Sequence, residues 1–296
     1  MNNDDPRSSL IVHRSSFEFH LPRGRRLTVP HPPGVIGIIN VTPDSFSDGG
    51  VHLDHAKAVH AALQMEQDGA LVIDIGGEST RPDAEPIAAQ VEIDRVIPVI
   101  EQIRHRSDVP ISVDTRKGSV AEGALAAGAD IINDVSALRY SAAMPGIAAK
   151  SGVPVILMHM RGEPKTMQKN IHYDDVVSEV GSELTTFRDD AIAAGVDRSQ
   201  ILIDPGIGFG KTFEHNLELL ARANEFTSIA PLVIGASRKG FIGHLTGREA
   251  GPDRMFGSLA TIAAAHRAGA ALVRVHDVRE TIDFLKVLLA IAEKER

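Results

Sequence analysis

Apolar positions along the chain gather into eight short runs rich in Val and Ile, and each run ends at its C-terminal side on a polar or glycine-rich group. In chain order the runs span 35–40, 71–75, 111–114, 131–133, 155–159, 201–204, 232–239 and 272–276. They do not alternate apolar with polar residues, which is the pattern of strands buried on both faces of a parallel sheet. Segments with helical periodicity lie between them. Strand and helix alternating eight times, over a span near the roughly 250 residues typical of the fold, predict an α/β architecture, a (β/α)8 TIM barrel. Active sites of such barrels sit at the C-terminal strand ends, so the polar terminators are expected to face one bowl.

The helical spacing supports this alternation. Ile93, Val96, Ile97, Ile100 and Ile103 fall on one face, as do Ile282, Leu285, Leu288 and Leu289. The opposite faces carry Glu92, Asp94, Glu101 and Arg104, or Glu280 and Lys286, and are expected to meet water. Gly69, Gly128, Gly152, Gly195 and Gly269 each follow a helical pattern shortly before the next apolar run, where a left-handed helix stop belongs. The shortest helix is predicted around 144–150. Before the barrel, residues 11–19 and 27–29 flank Pro22-Arg23-Gly24-Arg25 and predict an N-terminal β-hairpin capping the barrel floor. Residues 1–10 are predicted to be a disordered tail, and 11–296 a single catalytic domain.

Composition narrows the class without naming an activity. A hydrophobic fraction of 43% supplies a large core. No apolar stretch reaches the roughly 18 to 20 residues that span a bilayer, so no membrane partner is expected. The polar opening at 1–9 carries no secretory apolar segment. With no cysteine, disulfides, thiolate metal sites and thiol nucleophiles are excluded, which fits a reducing cytoplasm. The formal net charge of -8 argues against a broad nucleic-acid footprint, although a local Arg and Lys cluster can still hold a small anion.

Chemistry concentrates at the strand ends. Asn40 leads into a polar, glycine-rich stretch at 41–50 that reads as a mobile lid. Gly76-Gly77 hinges a loop carrying Ser79, Thr80 and Arg81, with Pro82 stiffening its far end, a candidate anion clamp. Asp114, Asn133 and Asp204 supply carboxylates and an amide suited to a flat heterocycle with adjacent N–H donors. Gly206, Gly208 and Gly210 surround Phe209, so the backbone can approach a ligand beside an aromatic face. Ser237-Arg238-Lys239-Gly240 follows the seventh run. Arg274 and His276 leave the eighth just before a helix starting near Val278, a favourable phosphate site.

Eight segments together carry a family resemblance: Asn40-Val-Thr-Pro-Asp-Ser-Phe-Ser-Asp-Gly-Gly, Asp74-Ile-Gly-Gly-Glu-Ser-Thr-Arg-Pro, Ser112-Val-Asp-Thr, Ile132-Asn-Asp-Val, Met158-His-Met-Arg-Gly, Asp204-Pro-Gly-Ile-Gly-Phe-Gly-Lys, Ser237-Arg-Lys-Gly and Arg274-Val-His-Asp. In this order, one per strand from about Gly34 onward, they resemble the dihydropteroate synthases. The resemblance implies condensation of 6-hydroxymethyl-7,8-dihydropterin diphosphate with 4-aminobenzoate, giving 7,8-dihydropteroate and diphosphate in folate synthesis. It implies that Asp114, Asn133, Asp204 and Lys239 hold the pterin, with Met158 and Phe209 lining the pocket and Arg274 against the ring. Asn40, Arg274 and His276 would bind diphosphate, Asn40 also reaching Mg2+, the implied cofactor. Phe46, Thr80, Arg81, Pro82 and Ser237 would frame the aminobenzoate, and the group acting in catalysis would be Asn40, Lys239, Arg274 and His276. A homodimer through outer helices is implied as well.

Each residue has a plainer reading too. Asp114, Asn133 and Asp204 taken singly read equally well as strand-end caps, Lys239 and Arg81 as solvated loop charges, and Phe209 as core; three polar groups in one bowl favour a ligand. His159 reads as structural. One departure stands out: Asp83 follows Pro82 where the family commonly has glycine, which bears on aminobenzoate affinity and sulfonamide response. Two other readings share parts of the pattern. A methyltransferase that passes a folate methyl group to a corrinoid protein would share the Asp and Asn set, but is not expected to show the Ser79–Pro82 loop. A pterin-binding paralogue without catalysis draws only on Asp83.

Overall fold

In the computed structural model, which describes residues 16–30, 33–42, 51–80 and 84–294, the chain opens with two antiparallel strands. These are β1 (Phe17–His20) and β2 (Arg26–Val29), with Phe17 opposite Val29 and His20 opposite Arg26. Phe19, Leu21, Leu27 and Val29 bury themselves against Ile36, Val72, Ile131, Leu202, Val233 and Leu272. The latter sit toward the N-terminal ends of the barrel strands, so the hairpin does close the floor. Polar bonds lock it there: Gln200 receives the His20 amide at 3.1 Å and donates to the His20 carbonyl at 2.6 Å. Arg23, Arg25 and Arg104 converge on the fully buried Asp130. The hairpin's expected start at 11–15 and the expected tail at 1–10 lie outside the described residues.

Eight parallel strands follow among the described residues: β3 (Gly34–Asn40), β4 (Val72–Gly76), β5 (Ile111–Asp114), β6 (Ile131–Asp134), β7 (Val155–Met158), β8 (Ile201–Asp204), β9 (Val233–Ile234) and β10 (Leu272–Val275). Their spatial order is β8-β7-β6-β5-β4-β3-β10-β9, and a parallel bridge between Ile203 and Leu232 brings the two edges together into a barrel. Helices α1 (Val51–Gln67), α2 (Ala89–Arg104), α3 (Gly118–Ala127), α4 (Met144–Ser151), α5 (Val176–Ala193), α6 (Phe213–Ala221), α7 (Gly240–Thr246), α8 (Met255–Ala268) and α9 (Val278–Ala292) form the outer shell. The larger core lies between this shell and the strands, where Val96, Ile100, Ile103, Leu184, Leu219 and Leu285 pack. The five glycines expected to stop helices all take positive φ.

Four features differ from the sequence expectation. The seventh barrel strand covers only Val233–Ile234, because the backbone turns away from the ladder: Arg238 takes φ 58 and its amide bonds the Ser258 hydroxyl at 2.9 Å. The segment after it forms two helices, α7 and α8, where one was expected. Glu92, assigned by spacing to a water-facing stripe, is fully buried and pairs with Lys117 at 2.6 Å. Arg104, placed on the same stripe, is mostly buried and caps the Gly128 and Val109 carbonyls. Periodicity cannot see a partner on the neighbouring helix: α3 packs on α2, and the turn that starts α3 delivers Lys117.

Candidate active site

Strand register builds the polar layer at the mouth. Asn40 stands beside Gly76, Gly76 beside Asp114, and Asp114 beside Asn133. Residues level with one another on neighbouring strands point to the same face of a sheet, and residues two apart on one strand share that face. Asp74, two before Gly76, therefore lies one layer deeper on the same inward side. Met158 stands beside Asp204 on the opposite wall.

Arg274 ties the near side together. Its Nε donates to Asp74 Oδ2 at 2.6 Å, and its Nη2 to Asp114 Oδ2 at 2.7 Å. Asn133 Nδ2 also leans on Asp74, at 3.3 and 3.4 Å. Burial alone would lower the Arg274 pKa, but the two carboxylates more than offset it and hold the guanidinium protonated. For Asp114, burial pushes the pKa up, with Arg274 pulling down and Asp74 pushing further up. Asp114 Oδ1 has no hydrogen bond among the described residues and remains available to a ligand.

Asp204 shows the same division of labour. Its Oδ1 accepts the Gly206 amide at 2.7 Å, leaving Oδ2 toward Gly235 and the Arg274 side of the bowl. Burial raises its pKa, against the pull of Lys239 and the Gly206 amide. Gly206 has φ +66, and a Cβ there would lie 1.9 Å from the His159 carbonyl oxygen, so only glycine lets this loop fold against β7. Phe209 packs on Met158, Met160, Met167 and Val135, forming an apolar wall. The Lys239 ammonium lies 4.4 Å from the Phe209 ring centre and bonds the Ile207 carbonyl, while burial lowers its pKa to about 8.

Beneath that wall Lys211 is buried, donating to the Phe209 carbonyl at 2.9 Å and to His159 Nδ1 at 3.0 Å. His159 Nε2 faces Glu183 at 3.1 Å, so the two partners assign the ring proton to Nε2. Burial lowers the His159 pKa to about 4 and that of Lys211 to about 7. His159 is thus neutral and packed, as its structural reading expects.

At the last strand, Ser237 Oγ lies 3.0 Å from His276 Nδ1 and accepts the His276 amide at 3.2 Å. Arg238 takes up Asp277, so that side chain does not cap α9. The helix N-terminus beside His276 therefore keeps open amides and a positive dipole end, the setting for an anionic group.

Known proteins match most of this chain. A family model described as pterin binding enzyme covers residues 36–276. Dihydropteroate synthase of Escherichia coli strain K12 is 47% identical over 270 residues, 90% of this chain and 94% of the relative. The chain belongs to the dihydropteroate synthases. Solved structures of the family agree: a Xanthomonas albilineans dihydropteroate synthase with 4-aminobenzoic acid has a TM-score of 0.88 at 46% identity, covering 94% of this chain and 99% of that one. The same enzyme in complex with 7,8-dihydropteroate gives 0.83 at 45%, covering 91% and 97%.

Within this dihydropteroate synthase frame hydrogen bonds join Asp114 to Arg274 and Ser237 to His276, while Phe209 packs on Met158 and takes the Lys239 ammonium over its ring. Asn40 is half-buried at the rim, with no side-chain hydrogen bond among the described residues. Thr80 is the last residue described before 81–83; Phe46, Arg81, Pro82 and Asp83, and positions 43–50 of the expected lid at 41–50, lie outside the described residues. Sequence reasoning missed two site-shaping residues. Asp74 was embedded in an apolar run, and an acid there needs a buried cation, which is the signal it offered. Lys211 ends the glycine-rich segment and gave no spacing signal of its own.

Proposed function

We propose that this bowl joins 6-hydroxymethyl-7,8-dihydropterin diphosphate to 4-aminobenzoate, releasing diphosphate and 7,8-dihydropteroate. The observation that carries the reading is the three-sided polar set of Asp114, Asn133 and Asp204 around Arg274, facing the Phe209 and Met158 wall. Each aspartate spends one oxygen on the protein and keeps the other for a ring N–H. The apolar wall receives a flat heterocycle, and Arg274 and Lys239 supply positive charge beside it.

In this reading the diphosphate sits at the N-terminus of α9 with His276 and Arg274. The C–O bond to the pterin methylene breaks and its electron pair leaves with diphosphate. The aniline nitrogen then attacks the methylene cation and loses a proton. Negative charge grows where Arg274, His276 and the helix amides already point, so this stabilisation needs little rearrangement at the moment of reaction. Thr80, Arg81, Pro82, Phe46 and Ser237 frame the aminobenzoate.

Mg2+ fits as a companion of the substrate. Among the described residues no group of three His, Cys, Asp or Glu could hold a metal ion. Mg2+ keeps several waters and takes phosphate oxygens with only one or two protein oxygens, and the uncommitted Asn40 amide supplies one. When bound, Mg2+ contributes charge neutralisation on the diphosphate.

The reading extends to a homodimer and a cytoplasmic location. Phe256, Leu245, Phe213 and Leu217 are exposed on the neighbouring helices α6, α7 and α8, which supports a second copy docking there. No helix among the described residues is long and apolar enough to cross a membrane. A crystal structure with pterin diphosphate tests the assignment: ring N–H groups are expected on Asp114 Oδ1 and Asp204 Oδ2, with diphosphate at the start of α9. Density for the ligand away from these groups would overturn it.

A further inference from the structure

Lys211 ends the glycine-rich loop after β8, and its ammonium turns back under that loop to hold it. The backbone carbonyls from 207 to 210 are each taken by a side chain. Lys239 bonds that of Ile207, Gln168 Nε2 donates to that of Gly208 at 2.8 Å, Lys211 Nζ to that of Phe209 at 2.9 Å, and the Tyr173 hydroxyl to that of Gly210 at 3.2 Å. Of the four bonds, the one from Lys211 fixes the residue whose ring belongs to the apolar wall. The loop also presses on the chain leaving β7, where a Cβ at Gly210 would lie 2.7 Å from the Arg161 carbonyl oxygen.

The Lys211 ammonium is buried, and it also bonds His159 Nδ1 at 3.0 Å. From there the contacts run outward: His159 Nε2 faces the partly exposed Glu183 at 3.1 Å, and Glu183 pairs with Arg161. The His159 amide bonds the Asp204 carbonyl at 2.8 Å, so Lys211 joins the loop to the ends of both β7 and β8. Burial lowers the Lys211 pKa to about 7; the Asp204 carboxylate is the strongest charge opposing this, with Glu183 on the same side and Lys239 and Arg161 against. In return Lys239, Arg274 and Lys211 all pull the Asp204 pKa down while burial raises it.

We propose that Lys211 is a positioning residue for the pterin, setting the Phe209 ring through its carbonyl and placing a buried positive charge that favours the Asp204 carboxylate as acceptor of a ring N–H. The inference rests on the reading of the bowl as the pterin site. Holding a carbonyl does not by itself account for a lysine, because a neutral donor would serve and a buried ammonium loses its water. The charge acts on Asp204, whose ionised form burial disfavours. Protonation removes that acceptor, so pterin affinity falls as pH drops through the Asp204 pKa. Without Lys211 this pKa rises further, and the acid limb of the affinity moves to higher pH.

Lys211→Met removes donor and charge while keeping an unbranched side chain of similar length. Isothermal titration with 6-hydroxymethyl-7,8-dihydropterin, which lacks the diphosphate and its titration, compares the two proteins from about pH 5.5 to 8. Affinity is expected to fall about fivefold or more just below neutral pH, with the acid limb moved up by about half a pH unit or more. The gap should narrow above pH 7, as wild-type Lys211 loses its own proton. Asp114, raised by burial to about 7, and Lys239, lowered to about 8, titrate in both proteins; Arg274, Arg161 and Glu183 stay charged, and wild-type His159, at about 4, lies below the range. Unchanged affinity, or a loss by the same factor at every pH, overturns the proposal. If Lys211→Met does not fold, Glu183→Ala takes its place. It frees the imidazole that holds the ammonium and removes a charge that supports it, and it carries the same pH-dependent loss at smaller size. Asp204→Asn judges the underlying reading separately. If pterin affinity is unchanged by it, the bowl is not the pterin site and the proposal falls with it; if Asp204→Asn weakens binding while Lys211→Met does not, the proposal alone falls.

Discussion

Asp74 Oδ2 accepts Arg274 Nε at 2.6 Å across the floor of the bowl, and Asp74 is fully buried. A buried carboxylate survives there because the guanidinium and the Asn133 amide serve it together. The pair fixes the height and tilt of the guanidinium before any substrate arrives. Arg274 can then reach Asp114 on one side while its charge stays inside the mouth.

Asp74→Asn keeps the shape of the side chain and removes the charge that aims Arg274. The account expects kcat/KM for pterin diphosphate to fall about 10- to 100-fold, or about 1.4 to 2.7 kcal/mol of transition-state stabilisation. Steady-state kinetics at saturating 4-aminobenzoate measure this. Wild-type kinetics in the variant would remove the positioning role of Asp74.

Asp204→Asn is predicted to weaken pterin diphosphate binding while the barrel still folds. The Gly206 amide holds an oxygen of residue 204, so the substituted amide presents its nitrogen to the ligand and sets a donor against a ring N–H. An unpaired buried donor costs about 1 to 3 kcal/mol, which isothermal titration reads directly. Unchanged affinity, with a native circular dichroism spectrum, would place the pterin elsewhere.

Chelation of Mg2+ is expected to suppress turnover by tenfold or more, of order 1.4 kcal/mol or above in the barrier. It should leave the affinity for a pterin lacking the diphosphate unchanged, because the ion acts on departing charge and not on the ring. Full activity in excess chelator would sink the metal assignment.

His159 supplies a pH test of stability. Burial lowers its pKa to about 4 from the ordinary 6.5, so between those values the unfolded chain binds a proton that the folded one does not. Stability is then present above about pH 6.5 and lost as pH falls toward 4, by up to about 3 kcal/mol for this group. Other buried acids titrate in the same range with opposite sign, Asp134 among them, with its pKa raised by burial to about 6. The comparison of urea unfolding for wild type and His159→Gln isolates the histidine. The variant should lose less stability between pH 7 and pH 4.5, and parallel curves would contradict the neutral, buried assignment.

Much of the fold, and the placement of several candidate-site residues at the mouth, were legible in the residue pattern, for identifiable reasons. Parallel strands buried on both faces announce themselves as unbroken apolar runs, and the residue that ends each run lies at the mouth by geometry alone. Asp114, Asn133 and Asp204 were visible on that ground. Asp74 was not, because an acid inside an apolar run shows its purpose only once Arg274 stands across from it. Glu92 and Arg104 misled for the same reason: helical spacing records which residues share a stripe, and their ion partners come from elsewhere in the fold. The seventh strand looked longer because Gly235 and Ala236 continue its small, apolar character, while the Ala236 carbonyl already accepts the Lys239 amide in a turn and the Ser237 hydroxyl bonds His276.

The most direct test of the central claim is diphosphate release from 6-hydroxymethyl-7,8-dihydropterin diphosphate, followed with and without 4-aminobenzoate in the presence of Mg2+. The account predicts sustained release only when 4-aminobenzoate is present, with one 7,8-dihydropteroate formed for each diphosphate. No release under either condition, or sustained release that ignores 4-aminobenzoate and yields no dihydropteroate, would contradict it.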